Sequence, residues 1–362
     1  MYETMRKTCP ADRRLVPALL LFAMVLAVAA SPAMAGGFLA RTPRTTFLTL
    51  DSDRVCSRTA QLAFTACGLD VRDDYWEARA ICLNVTDPDE QAECSDDARA
   101  DWFEGRGECA DVREARMELC EALGEDAYDP DFDPELFDDD FTALTTPNPY
   151  LPIAIGNVWE YEGGDEMTRV EVFDKTKLID GVTCIVVNDV VSEDGELIED
   201  TDDWFAHALD GAVHYCGEIA RDYEYFEGDE PMEAELVEID GSFKAGRDGA
   251  ESGIVMPAMP YVGMTYRQEW ALGDAEDAAE VVSTTYAYGD DPELDYLVPH
   301  ELAELLCDGD CLVTRDFTPL EPDAEELKYY APGVGMFLEV NVEDGEINQL
   351  VGCNFNPVCS GL

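Results

Sequence analysis

Residues 56–120 read CSRTAQLAFTACGLDVRDDYWEARAICLNVTDPDEQAECSDDARADWFEGRGECADVREARMELC, and this stretch contains six cysteines. The separations between successive cysteines are 11, 15, 12, 15 and 11 residues, a series that is the same from either end. In an α-helix, steps of 11 and 15 residues advance about 20° and 60° beyond whole turns, so the three cysteines of each half share one helical face. The sequence therefore predicts two antiparallel helices within residues 50–124, with their cysteines facing one another.

The centre of this stretch has the residues of a turn between helices. Residues 84–86 interrupt the helical pattern, and Asp87-Pro88-Asp89-Glu90 then supplies an N-cap, a proline at the first helical position and a glutamate at the third. Zinc or iron–sulfur binding is disfavoured because the segment contains no histidine and no C-x-x-C pair. The predicted disulfides are the nested pairs Cys56–Cys120, Cys67–Cys109 and Cys82–Cys94.

The segment before the helices has the composition of a secretory signal peptide. Basic residues precede an apolar run over residues 15–30, and Ala33-Met34-Ala35 provides a small-residue cleavage site. We expect residues 1–35 to be removed and the mature chain to be periplasmic or extracellular. The apolar run is shorter than the roughly 20 residues that span a bilayer, so no membrane span is expected in the mature chain.

Acidic residues dominate the composition. The chain has 80 acidic and 23 basic residues, a formal net charge of -57, and 46% hydrophobic residues, which is typical of a folded protein. Negative charge of this size repels phosphates and anionic bilayers, which excludes nucleic-acid and membrane-surface roles. The acids are spread through the chain, and this even spread favours adaptation to high salt over divalent-cation binding. Four lysines follow residue 35, namely Lys175, Lys177, Lys244 and Lys328.

The predicted organisation has three parts after the signal peptide. Residues 36–128 form the disulfide-rich helical hairpin, residues 129–146 an acidic linker, and residues 147–362 a β domain. The linker begins like a calcium loop, with alternating aspartates over residues 129–133. Pro134 stands where an EF-hand requires glycine, and Asp140 replaces its final glutamate, so the linker does not match that motif.

From residue 147 onward the pattern becomes that of β-strands. Short runs of β-branched and aromatic residues are separated by Asp-Gly dipeptides, which favour tight hairpin turns. These dipeptides are Asp180-Gly181, Asp194-Gly195, Asp210-Gly211, Asp240-Gly241 and Asp344-Gly345. The sequence therefore predicts an antiparallel meander, and an α+β fold for the whole chain.

An internal repeat is visible in the β domain. TCIVVND at residues 183–189 matches DCLVTRD at residues 310–316, and DWFA at 203–206 matches KYYA at 328–331. PIAIGNVW at 152–159 also resembles PYVGMTY at 260–266. We expect two similar β units that pack into one sandwich or incomplete barrel.

Several short motifs are shared with a known group of proteins. NPYLP at 148–152, WEYEG at 159–163, GVTC at 181–184 and YYAPGVG at 329–335 resemble an uncharacterised family of secreted bacterial proteins. The resemblance covers residues 147–342. It implies a β fold and export, and it transfers no activity, substrate or catalytic residue. The family pattern includes Cys184 and Cys311, whereas the other four cysteines of the β domain look like additions. The resemblance therefore implies that Cys184 and Cys311 form the older disulfide.

Six cysteines lie in the β domain. The repeat places Cys184 and Cys311 at matching points of matching strands, and a bond between them would join the two units. Cys353 is close enough in sequence to pair with Cys359, which leaves Cys216 with Cys307 by elimination. The alternative is Cys307 with Cys311 and Cys184 with Cys216.

Catalytic motifs are missing from the sequence. None of the three histidines lies in H-E-x-x-H, and there is no G-x-S-x-G, phosphate-binding loop or dinucleotide fingerprint. His207 and His214 flank a predicted hairpin and, with Asp203, form a candidate metal site. The favoured interpretation is that these histidines face solvent from a half-buried strand.

Three classes of function remain. A non-enzymatic binding or structural module, with an unknown small ligand or extracellular partner, is favoured by the missing motifs and the aromatic strands. A calcium-binding protein is the alternative, and calcium is the one cofactor indicated. Its candidate ligands surround one hairpin and are Glu193, Asp194, Glu196, Asp200 and Asp202. An extracellular hydrolase comes third and requires a pocket that joins His207 or His214 to carboxylates.

Overall fold

The computed structural model describes residues 54–226 and 228–362. The predicted signal peptide and its cleavage site lie outside these residues. Two long helices come first, α1 (Val55–Cys82) and α2 (Pro88–Leu123), and a short helix α3 (His300–Leu306) lies within the β domain. No helix in the described part of the chain combines the length and the apolar character that a membrane span requires.

The helical hairpin has the predicted disulfides. Cys56–Cys120, Cys67–Cys109 and Cys82–Cys94 join α1 to α2, so the nested pairing is confirmed. The Asp87 carboxylate accepts hydrogen bonds from the backbone N–H groups of Asp89 and Glu90 at 2.8 and 3.2 Å, and it caps α2 as expected. The buried apolar side chains of the two helices are few: Ala60, Cys82, Ala98, Cys109, Leu119 and Cys120.

The β domain is one antiparallel sheet of fourteen strands in the described residues. The strands are β1 (Val158–Gly163), β2 (Glu166–Ile179), β3 (Val182–Glu193), β4 (Glu196–His207), β5 (Val213–Ile219), β6 (Asp222–Glu224), β7 (Glu235–Glu238), β8 (Gly253–Met256), β9 (Thr265–Arg267), β10 (Ala278–Tyr286), β11 (Cys311–Thr318), β12 (Glu321–Ala331), β13 (Gly335–Asn341) and β14 (Ile347–Cys353). The predicted α+β fold, a helical hairpin followed by an antiparallel sheet, is confirmed.

The strand order is β7-β6-β4-β3-β2-β1-β14-β13-β12-β11-β10-β9, and β5 pairs with β4 and β8. The strands β1 to β4 and β9 to β12 thus form two meanders, which β13 and β14 connect. The sequences matched by the repeat lie on corresponding strands, with TCIVVND on β3 and DCLVTRD on β11.

The two ends of the sheet approach each other and produce an incomplete barrel. Glu251, just before β8, forms an isolated bridge with Trp270, just after β9. A Cβ atom at Gly253 would lie 1.7 Å from the Gln268 carbonyl oxygen, so this close approach requires glycine. Buried side chains from strands around the barrel, among them Ile185, Met256 and Leu312, form one hydrophobic cluster on its inside.

Alternation along the strands defines two faces. Ile185, Val187 and Phe205 belong to the cluster inside the barrel, and we call their side of the sheet the inner face. Cys184, Val186, Trp204 and Ala206 belong to a second cluster on the outer face. Residues 129–146 run along the sheet, and Phe137, which is buried, bridges to Ala208.

A buried ion pair connects the hairpin to the sheet. Arg116 of α2 donates from Nε to the Glu276 carboxylate at 2.8 Å, and both side chains are more than nine-tenths buried. The Arg267 guanidinium lies 4.1 Å from the centre of the Trp270 ring, and the Tyr128 hydroxyl donates to the Ser252 carbonyl at 2.8 Å. These contacts hold α2 and the segment that follows it against the region where the two ends of the sheet meet.

The disulfides of the β domain differ from the favoured prediction. The bonds are Cys184–Cys216, Cys307–Cys311 and Cys353–Cys359. The predicted pairs Cys184–Cys311 and Cys216–Cys307 are wrong, and the alternative that the sequence left open is right. Matching strands occupy equivalent places in separate halves of the sheet, and five strands lie between β3 and β11. The strands where the halves meet are β1, β14 and β13, and neither Cys184 nor Cys311 lies on them.

Candidate functional site

A cavity of about 480 Å³ lies on the outer face beside Trp204. Strand β2 contributes Lys175 and Lys177 to its lining, and Arg221 and Asp202 form part of its rim. A neighbouring cavity of about 260 Å³ shares Trp204 and adds Lys244 and Arg247. We call the two cavities together the Trp204 cleft.

The strand geometry explains how these side chains meet. Lys175 and Lys177 are two residues apart on β2, so they project to the same face. Gly217 of β5 is opposite Trp204 and forms an isolated bridge with Lys244. A Cβ atom at Gly217 would lie 2.3 Å from the Phe243 carbonyl oxygen, and the residue has a φ of 124°. Glycine at this position therefore allows the segment carrying Lys244 to lie on the sheet.

Two ammonium groups contact the indole ring. Lys177 Nζ lies 3.2 Å and Lys244 Nζ 4.8 Å from the centre of the Trp204 ring. The indole is buried, so the negatively polarised face of its ring attracts both ammonium groups where water is partly excluded. Three of the four lysines that follow residue 35 thus line one cleft.

The cations of the cleft repel one another. Burial lowers the pKa of Lys177 to about 8, and the positive charges of Lys244 and Arg247 contribute to this shift, while Asp202 opposes it. Arg221 pairs with Asp202 at 3.0 Å and with Asp200 at 3.7 Å. In the described part of the chain, by contrast, no salt bridge joins a carboxylate to Lys175, Lys177, Lys244 or Arg247. An arrangement of unpaired cations favours an anion.

The proposed calcium ligands do not converge. Glu193 pairs with Glu196 next to the hairpin turn, where Asp194 has a φ of 52°. Asp200 and Asp202 lie further along β4, with Asp202 about 20 Å from the turn at the usual strand rise. Within residues 54–226 and 228–362, no group of three or more His, Cys, Asp or Glu side chains is placed to hold a metal ion. Calcium binding stays a prediction.

His207 and His214 are both buried, so the prediction that they face solvent is wrong. His207 is fully buried, with Nδ1 3.3 Å from an Asp138 carboxylate oxygen, and His214 packs edge-on against Phe137. Burial lowers the pKa of His207, and it lowers the pKa of His214 to about 4. The ladder pairs His207 with Val213 and Ala206 with His214, so the two rings lie on opposite faces and do not form a metal site with Asp203.

Sequence reasoning counted the lysines but did not place them together. The spacing of Lys175 and Lys177 was the available signal, because alternate residues of a strand share a face. Lys244 and Arg247 reach the cleft only through the long segment between β7 and β8, and no local pattern indicates that contact.

Comparison with known proteins shows limited similarity. No protein-family model matches the chain, and no curated protein matches it. One similar solved structure is a protein with a YmcC-like fold from Bacteroides fragilis that is inferred to be exported. The two sequences are 13% identical, the alignment covers 59% of this chain and 99% of that chain, and the TM-score is 0.30. Another is a protein from Parabacteroides distasonis that is inferred to be a lipoprotein, with 12% identity, 57% and 99% coverage, and a TM-score of 0.27.

Proposed function

We propose that this protein is an exported, non-enzymatic binding protein that holds a small anionic ligand in the Trp204 cleft. The observation that carries the proposal is that Lys175, Lys177, Lys244 and Arg247 line the Trp204 cleft without a salt bridge to a carboxylate among the described residues, with Lys177 and Lys244 against the indole. Export is supported by the six disulfides, since such bonds persist in oxidising compartments.

The fourth lysine of the mature chain is an internal comparison. The Lys328 ammonium lies 3.2 Å from Glu326, 3.3 Å from Glu339 and 3.7 Å from Asp316. Carboxylates are abundant in this chain, and a structural lysine is readily surrounded by them. The cations of the cleft lack such partners although like charges at short range raise the free energy of the folded state. A bound anion would remove this repulsion.

The size and chemistry of the cleft define the ligand class. A cavity of about 480 Å³ is within the range of volumes that accommodate a small organic molecule. A single inorganic ion would fill only part of it. Ammonium groups donate charge-assisted hydrogen bonds to carboxylate, phosphate and sulfate oxygens. Ile219 adds an apolar surface. We therefore expect an oxyanion attached to a polar body, such as an acidic or phosphorylated sugar.

Isothermal titration calorimetry with glucuronate, glucose 6-phosphate and uncharged glucose tests this proposal. We expect the two anions to bind with one-to-one stoichiometry and glucose not to bind. Hydrogen bonds to charged groups contribute about 1.5–3 kcal/mol each, so K177Q/K244Q is expected to weaken anion binding by at least about tenfold. The matched control is R58Q/R99Q, which removes the same charge from the hairpin.

Two results would contradict the proposal. One is the absence of measurable binding of either anion to the unmodified protein at millimolar concentration. The other is equal weakening by K177Q/K244Q and by R58Q/R99Q, because this would indicate a general effect of net charge. Affinity is also expected to fall as pH rises from 7 to 9, since Lys177, with a pKa of about 8, loses its charge over this interval.

A further inference from the structure

A row of large apolar side chains is exposed along α1 as far as its C-cap. Leu62, Leu69, Trp76 and Leu83 follow one another at intervals of seven residues, and their exposed fractions are 65%, 59%, 59% and 75%. Seven residues are close to two helical turns, so the four side chains share one face over a length of about 32 Å. Single exposed apolar residues are normal, but a contiguous row of them indicates an interface. We call this row the α1 stripe.

The α1 stripe faces away from the rest of the hairpin. Cys67 bonds to Cys109 and so marks the face of α1 that packs against α2. Leu69 is two residues beyond Cys67, which places it about 160° around the helix from that face. The sheet is held by α2, through Arg116. The described part of the chain therefore leaves the stripe open to solvent.

The charge of α1 differs from that of its neighbour in the hairpin. Helix α2 contains twelve acidic residues and four arginines, whereas α1 contains four acidic residues and three arginines. A second copy of a chain with a net charge of -57 is repelled by most of the surface of this protein. The repulsion is smallest where the local charge is nearly balanced, so the stripe lies on the helix that a second copy approaches most easily.

The residues on the two sides of the stripe have complementary charges. Residues three positions after stripe residues lie on one flank, and residues four positions after them lie on the other. The first flank consists of Thr65, Arg72 and Arg79, and the second of Ala66, Asp73 and Ala80. No salt bridge joins Arg72 or Asp73 to another described side chain. The two alanines leave room for a second helix to approach closely.

These flanks distinguish the two orientations of a helix pair. In a parallel pair related by a two-fold axis, each flank faces the opposite flank of the second copy, so Arg72 meets Asp73 on both sides of the stripe. In an antiparallel pair each flank faces its own copy, which brings arginine to arginine and aspartate to aspartate. Charge complementarity therefore favours the parallel pair, and the seven-residue repeat matches the left-handed supercoil of such pairs.

We propose that the α1 stripe is the interface of a parallel homodimer, in which the hairpins of two copies form a four-helix assembly with the α1 helices at its centre. Each stripe residue packs against its own copy, and two Arg72–Asp73 ion pairs flank the contact. This interface lies on the hairpin, so it is separate from the Trp204 cleft of the barrel.

Sedimentation equilibrium of the full mature protein tests this proposal, in about 0.5 M sodium chloride to screen the repulsion between acidic copies. We expect a reversible monomer–dimer equilibrium. L69Q/W76Q is expected to weaken dimerisation by at least about a hundredfold, because each copy loses two buried apolar contacts. The matched control is F103Q/L178Q, which removes two similarly exposed apolar side chains elsewhere and is expected to change dimerisation by less than about twofold. All four positions are exposed, so both variants are expected to keep the circular dichroism of the unmodified protein.

Charge substitutions test the orientation separately. R72D places two acids opposite each other on each side of a parallel pair and is expected to weaken dimerisation by about threefold to tenfold. R72D/D73R exchanges the charges of the flanks and is expected to restore it. R99D, which makes the same charge change on α2, is the control and is expected to have less than about a twofold effect. Equal weakening by R72D and R99D would indicate net charge alone, and an unchanged affinity in R72D would contradict parallel pairing.

Two further results would overturn the proposal. One is a dimer that persists in L69Q/W76Q, because its interface would lie elsewhere. The other is a mature protein that is monomeric at every concentration up to about 200 μM. Deletion of residues 36–53 is expected to leave the dimer unchanged. Dimerisation that occurs only after this deletion would show that the same chain covers the stripe, and it would also contradict the proposal.

Discussion

The helical hairpin and the barrel are held together by different forces. The hairpin has two long helices and few buried apolar side chains, and its three disulfides span 64, 42 and 12 residues between the helices. The barrel has contiguous clusters of buried apolar residues and a continuous ladder of strands, and its disulfides span only 32, 4 and 6 residues. The comparison indicates that covalent bonds replace a core in the hairpin, whereas they only support one in the barrel.

The largest effect is expected from removal of the three hairpin disulfides. Loop-closure entropy alone assigns about 4 kcal/mol to the Cys56–Cys120 bond and about 2 kcal/mol to the short Cys307–Cys311 bond. A variant with serine at the six hairpin cysteines is expected to lose amide protection throughout α1 and α2 while the barrel strands stay protected. Hydrogen exchange with mass spectrometry measures both regions in one sample.

C307S/C311S is the control for that experiment. It is expected to leave the protection of both regions close to that of the unmodified protein. Protection of α1 and α2 in the six-serine variant would contradict the comparison, because it would mean that non-covalent packing holds the hairpin.

The next largest effect concerns the contact between the two regions. R116M leaves the Glu276 carboxylate buried without its guanidinium partner, which typically costs about 3–5 kcal/mol. Urea denaturation is expected to show this loss, together with a separate early transition in helical circular dichroism. R99M, which removes an exposed ion pair with Asp96, is expected to change stability by less than about 1 kcal/mol. A single cooperative transition in R116M would show that other contacts join the hairpin to the barrel.

A smaller effect is expected from pH, and it arises in the barrel. Burial raises the pKa of Asp203 to about 7 and that of Asp277 to about 6, whereas an unfolded chain has aspartate near 3.8. The folded barrel therefore binds more protons than the unfolded chain between about pH 4 and 7, so its stability falls as pH rises through this window. Thermal unfolding from pH 4.5 to 8 is expected to show this decline, with a shallower slope in D203N. An unchanged slope in D203N would mean that other acids control the response.

The smallest effect is expected from calcium. The predicted ligands of the β3–β4 hairpin do not converge, so micromolar calcium is expected to produce no saturable rise in the unfolding temperature of the barrel. Molar sodium chloride is expected to raise it gradually, because salt screens the repulsion among the many acids of both regions. A saturable micromolar shift that is lost in D200N/D202N would restore the calcium hypothesis.

Local pattern was sufficient for the hairpin and insufficient for the barrel. The cysteine spacing predicted α1, α2 and three disulfides because the period of a helix fixes which residues share a face. The Asp-Gly dipeptides predicted hairpin turns for a similar reason, and Asp194-Gly195 lies in the turn between β3 and β4. The pairing of Cys184 was mispredicted because matching strands of a repeat need not be neighbours.

The candidate sites depend on contacts between distant parts of the chain. Lys175 and Lys177 share a face through local alternation, but Lys244 joins them only because the chain returns across Gly217. Gln268 lies against Gly253 only because the ends of the sheet approach each other. Such contacts depend on the curvature of the whole sheet, so the spacing of residues within one strand or loop does not predict them.

The sequence by itself determined the helical hairpin, its disulfides, the α+β class and the acidic character of the chain. These properties follow from periodicity, spacing and composition, each of which is contained in a short stretch or a simple count. Only the tertiary structure decided which cysteines pair in the barrel, that His207 and His214 are buried, and that three of the four lysines after residue 35 line one cleft. The physical reason is that strand order and sheet closure bring together residues that are far apart in sequence, and the neighbours of each charged side chain then set its pairing and its pKa.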